Sequence, residues 1–214
     1  MALYRTRNGS LLALAHDRGF HVPGQLEAMS DVCSWLLAHS GRDAWGTYWP
    51  SAVSPDEEGA DRRPGPRGED GWCTGTSGIA SALRLAAGTL RVPEWMSVAD
   101  EALTGALRHH HETRARRDPI LCHGTAGLLQ IAARAGRTDL VARLLGDLLA
   151  MFDPDRPLGF HSPADRVVGP DTEYEQSPGF LIGAAGAALA LAHAAGLADD
   201  PAHGPDWDAA LLLS

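Results

Sequence analysis

Apolar residues recur along this chain at helical spacing, and two kinds of helix alternate. In the first kind, one apolar face is backed by polar and charged positions. Trp95, Ala99, Ala102, Leu103, Ala106 and Leu107 share such a face, as do Val141, Leu144, Leu145, Leu148 and Phe152. Pro93-Glu94 sits where a helix starts, and Thr138-Asp139 offers a cap and a first-turn acid. The second kind is rich in small residues and apolar on most sides: Ser77 to Leu90, Thr125 to Ala135, and Ala187 to Ala195. Such a helix is enclosed by others, and its alanines and glycines let neighbours approach closely. No window sustains strict alternation, so no sheet is expected.

Each small-residue helix follows a Gly-x-x-Gly turn, beginning at Gly75, Gly124 and Gly183. The repeating unit is about 50 residues, in the range of stacked helical pairs. The expected fold is all-α, a segment of an α/α barrel with inner small-residue and outer amphipathic helices, in one domain spanning 1–214. Two stretches rich in proline, glycine and charge interrupt it, at about 50–70 and 153–178. Loops this long are functional or disordered. Both lead into a Gly-x-x-Gly turn, which places them at the rim of a site.

A chain of 214 residues, 44% hydrophobic, can bury a substantial core. No apolar run reaches membrane-span length. The N-terminal stretch has only a short apolar patch, Leu11 to Ala15, and no small-residue cleavage site, so a cytoplasmic protein is expected. The net charge of −9 without a basic stripe argues against nucleic-acid binding. All 18 basic residues are arginine, so the glycine turns lack the lysine of a phosphate loop.

Three cysteines are an odd count for a disulfide framework and point to metal binding or burial. Cys33 lies on the apolar face of a helix around 26–37 and reads as a buried small hydrophobe. Cys73 and the pair Cys122-His123 differ. They occur in Gly71-Trp72-Cys73-Thr74-Gly75 and Leu121-Cys122-His123-Gly124, at the entrance to two of the glycine turns. Two thiols and one imidazole leave a fourth tetrahedral position open, the ligand count of a catalytic zinc. Two thiolates would also cancel the cation's charge. That keeps an incoming sulfur electron-rich and favours thiolate alkylation over water activation.

The Trp72-Cys73 and Cys122-His123-Gly124 motifs resemble the zinc signature of the lanthionine synthetase C-like family. Trp45 to Pro50 resembles the stretch before the first motif, and Pro205 to Leu213 resembles the family's C-terminus. The likeness runs from about Leu11 to the end. It implies a seven-fold α/α toroid of which about half is here, and Zn²⁺ at Cys73, Cys122 and His123 with Trp72, Thr74 and Gly124 around it. The implied reaction is addition of a peptide cysteine to dehydroalanine or dehydrobutyrine, closing a thioether ring in a precursor peptide. A second copy, a separate N-terminal half or a dehydratase are the implied protein partners.

Addition generates an enolate that must be protonated by a general acid. The resemblance implies a histidine before a glycine upstream, where this chain has Asn8-Gly9. It also implies a tyrosine where Thr74 stands and an arginine where Glu69 stands. His161, after Gly159-Phe160 in the second loop, is the candidate substitute acid; the plainer expectation is a surface loop histidine. Two readings follow: a thioether-forming zinc enzyme, or a non-catalytic zinc- and peptide-binding module that assembles with a partner chain. A glycosidase or terpene-cyclase relative would need paired carboxylates, and Asp153, Asp155 and Asp171 are not at helical spacing.

His109-His110-His111 cannot chelate well, since consecutive residues of a helix point in different directions, and reads as a solvated helix end near Arg114, Arg116 and Arg117. His16, His21, His39, His193 and His203 have no constellation around them. The apolar ends at Leu11 to Ala15 and Leu211 to Leu213 look uncapped, which predicts association.

Overall fold

The computed structural model describes residues 2–53, 64–113, 118–161, 177–197 and 206–213, with side chains from residue 8. Parts of both long loops, Asp171, His203, Pro205 and the arginines at 114, 116 and 117 lie outside the described residues. The chain gathers into two compact units, residues 1–108 with 208–214, and residues 109–207.

The first unit holds helices α1 (Ala2–Asp17), α2 (Gln25–Ala38), α3 (Thr76–Leu90) and most of α4 (Pro93–Thr113). Helices α1, α2 and α3 pack on one another. Their core contains Ala13, Met29, Cys33, Leu36, Ala80, Leu83 and Ala86. The α4 face read from the spacing is the buried one: Ala99, Ala102, Leu103, Ala106 and Leu107 are sealed, with Trp95 half-buried at the start.

A two-stranded antiparallel hairpin corrects the expectation of no sheet. Strand β1 (Gly41–Asp43) pairs with β2 (Gly46–Tyr48), Arg42 opposite Thr47. Strands of three residues are too short to show alternation, so the turn chemistry carries the signal. The Trp45 N–H donates to Asp43 Oδ1 at 2.8 Å, and Gly46 takes φ 108°, which suits only glycine. The hairpin lies against α4. Arg42 pairs with Glu101 at 2.6 Å, and a Cβ on Gly105 would collide with the Trp45 carbonyl.

The second unit holds α5 (Thr125–Arg134), α6 (Thr138–Leu149) and α7 (Ala184–Ala194), with α5 packed on both others. Every α5 residue from Thr125 to Ala132 is buried, as its small-residue character predicts. Helix α6 departs in detail. It buries Leu140, Leu144 and Leu148, while Val141 and Leu145 are half-buried. Phe152 lies past the helix end and is exposed, its ring edge-on to Phe160. The residue at the cap position is Arg137, with no side-chain cap bond; Thr138 is already helical.

The C-terminus also differs from expectation. A 3-10 turn, Trp207–Leu211, ends the described helical segments, and Leu211 and Leu213 are buried rather than presented to solvent. The histidine run is not a solvated end either. His110 is buried and shares a 3.3 Å hydrogen bond with Thr125, and His111 pairs with Asp147 at 2.6 Å. Among the described residues no helix is long and apolar enough to cross a membrane.

Candidate metal centre

Three turns of one design start the small-residue helices. In each, the N–H of the first helical residue donates to a carbonyl seven residues earlier: Thr76 to Glu69 at 2.9 Å, Thr125 to Asp118 at 2.7 Å, Ala184 to Ser177 at 2.8 Å. Gly75, Gly124 and Gly183 stand at the cap positions in extended conformation. The second glycines lie so close to a backbone carbonyl that no Cβ fits: Gly78 on Trp72, Gly127 on Leu121, Gly186 on Phe180. This fixes the correspondence. Cys73, Cys122 and Leu181 are equivalent, and so are Thr74, His123 and Ile182. The third turn therefore carries two aliphatic side chains at the positions that offer ligands in the second.

Within the first unit, the hairpin and its following segment hold the Cys73 turn. The Trp49 indole donates to the Leu36 carbonyl at 2.6 Å, and its backbone N–H to Thr76 Oγ1 at 3.4 Å. Arg67 grips Asp43 with two bonds of 2.7 and 2.9 Å, reaches Asp70 at 3.4 Å, and lies over the Tyr48 ring. Burial opposes its charge. The hydrogen bond and charge of Asp43, then the charge and hydrogen bond of Asp70, outweigh that burial and hold the guanidinium above its ordinary value. The Trp72 indole donates to the Leu211 carbonyl at 2.9 Å, tying the chain end to this turn. Cys73 is half-buried, its Sγ 3.7 Å from the hydroxyl of Thr74.

Within the second unit, Asp118 closes its turn by accepting the Ile120 N–H at 3.2 Å. Ile120 and Leu121 are buried. Cys122 and His123 are half-buried, and the Cys122 N–H donates to the Leu181 carbonyl at 3.0 Å. His110, from α4, meets Thr125 two residues beyond His123. That contact was not legible in the sequence, because three consecutive histidines could not be sorted by face without the helix register.

Among the described residues, Cys73, Cys122 and His123 form the group that could hold a metal ion, their ligand atoms all within 4.8 Å of one another. The donor set suits a borderline-soft cation. Two thiols and an imidazole match zinc, and three ligands leave a fourth position for another donor. No cysteine is in a disulfide. Cys33 stands apart: it is 1% exposed, and burial pushes its thiol up to about 11. His161 is exposed and is not in the metal group; the loop base beneath it is pinned by Asp153 N–H to Gly159 O at 2.8 Å. Asn8 and Gly9 lie inside α1 rather than in a turn before a helix, and Asn8 is exposed.

The fold and this donor group define an all-α protein with helix-entry turns carrying a candidate zinc site. The model of the lanthionine synthetase C-like proteins matches residues 9–207, and the chain belongs to that family. Its structure is similar to that of nisin cyclase, with a TM-score of 0.70 and 19% identity over 98% of this chain and 48% of that one. The chain thus spans about half the length of that structure. At this identity the likeness establishes the fold, a partial α/α toroid. No curated protein matches the chain.

Proposed function

We propose that the chain is a zinc-dependent, lanthionine cyclase-like protein of lanthipeptide biosynthesis acting in the cytoplasm. The observation that carries this reading is the Cys73, Cys122 and His123 group at the entrances of equivalent turns. Zn²⁺ at these three residues would lower the pKa of a thiol entering the fourth position, so that it reacts as a thiolate. Cys73 and Cys122 supply the two negative charges that keep such a sulfur nucleophilic. His123 completes the set without adding charge. Trp72, Thr74 and Gly124 shape the immediate surroundings.

The substrate is a precursor peptide with a cysteine and a dehydroalanine or dehydrobutyrine. The sulfur bonds to the β-carbon, the carbon–carbon double bond becomes single, and the α-carbon takes a proton. His161 is the proposed proton donor. A second reading, a non-catalytic zinc- and peptide-binding module, is favoured by one observation: Asn8-Gly9, inside α1, provides no histidine at a helix entrance. In that case a partner chain, such as a separate N-terminal half, supplies the acid.

Incubating zinc-loaded protein with a dehydrated, cysteine-containing peptide tests the first reading. Loss of the peptide thiol without change of mass supports cyclisation. Unchanged thiol in the presence of fully loaded protein supports the module.

A further inference from the structure

The third turn is built like the first two but carries Leu181 and Ile182 where the second carries Cys122 and His123. These two side chains are only partly covered by the fold. Phe180 performs the packing role of this turn, its carbonyl covered by Gly186 and its ring edge-on to Trp207 at 6.0 Å. Leu181 and Ile182 instead remain 37% and 43% exposed. The exposed parts of these adjacent aliphatic side chains cost free energy that a ligand can recover by covering them.

Their location says which ligand. The Leu181 carbonyl accepts the N–H of Cys122, so the two turns are joined by a backbone bond at the residue that offers the thiol. A Cβ on Gly186 would also press on the Leu121 side chain, so the second and third turns are in close contact. We infer that Leu181 and Ile182 form a specificity contact for an apolar side chain flanking the cysteine of a peptide whose thiol enters the fourth metal position. This rests on the zinc reading above. A metal held by Cys73, Cys122 and His123 would take the sulfur, and the aliphatic pair selects the neighbour and keeps water from it.

The test uses the full chain loaded with Co²⁺, whose thiolate charge-transfer absorbance reports entry of a sulfur. Two capped tripeptides, Leu-Cys-Leu and Gly-Cys-Gly, are titrated against it. The expected result is about tenfold tighter binding of Leu-Cys-Leu, the consequence of covering roughly one aliphatic side chain. In Leu181→Ser/Ile182→Ser the ratio falls below about twofold, and in Ile182→Ser alone it falls to about threefold. Equal binding of the two peptides by the wild type, or an unchanged ratio in the variants, would overturn the inference while leaving the metal site standing. Failure of the wild type to take up cobalt would overturn the metal reading, and this inference with it.

Discussion

Trp72 Nε1 donates to the carbonyl oxygen of Leu211 at 2.9 Å, joining residues 139 apart in the chain. The bond sets the C-terminal 3-10 turn against the segment that presents Cys73. It also explains why Leu211 and Leu213 are buried rather than forming an apolar end for a partner to cover. Trp72→Phe removes the donor and leaves that carbonyl unpaired. A loss of about 1–3 kcal/mol is expected, seen as a lower midpoint in chemical unfolding. Removing residues 211–214 should cost at least as much, and an unchanged midpoint in both variants would show that the contact contributes nothing.

The paired glycines of the turns make a sharper contrast. Gly78→Ala and Gly127→Ala each force a methyl group into a backbone carbonyl, of Trp72 and Leu121 respectively. Both should destabilise by more than about 2 kcal/mol, since the obstacle is backbone and not a movable side chain. Gly146→Ala, in α6, meets nothing within 4 Å and should stabilise by up to about 1 kcal/mol through helix propensity. Urea unfolding of the three variants side by side checks the order.

Arg67 holds Asp43 of the hairpin and Asp70 before the Gly71-Trp72-Cys73 turn at once. Arg67→Leu leaves the buried Asp70 without this partner and should cost roughly 3 kcal/mol. Arg67→Lys should recover only part of that, because a single ammonium cannot repeat the two-bond grip on Asp43. Recovery to wild-type stability by lysine would contradict the geometric argument.

Cys33 gives a pH dependence. Burial raises its thiol from 9.0 to about 11, so the native state retains the proton where the unfolded chain has lost it. Its contribution to stability is complete below about pH 9 and declines as pH rises toward 11. Cys33→Ala should flatten the stability curve over that window. In the metal-stripped native protein at pH 8, Cys33 should be the slowest of the three cysteines to alkylate; rapid modification would contradict its burial.

The inner helices and their glycine turns were legible in the sequence because the signal is local. Gly75, Gly124 and Gly183 punctuate runs of small apolar residues, and each stands at the cap of the helix it foretold. The clustering of Cys73 with Cys122 and His123 was legible for the same reason, as Cys73 and Cys122-His123 repeat against those glycines. What the pattern could not supply was long-range. The hairpin depends on Asp43, Gly46 and the fit of Gly105 on α4, and its strands are too short for a period to show. The burial of Leu211 depends on Trp72, far away in sequence, and that of His110 on Thr125 in another helix.

Metal content tests the account most directly. Elemental analysis of protein purified without chelator should find about one zinc per chain in the wild type and in Cys33→Ala, and close to none in Cys122→Ala or Cys73→Ala. Zinc absent from the wild type, or retained in full by either of the last two variants, would contradict the proposed centre.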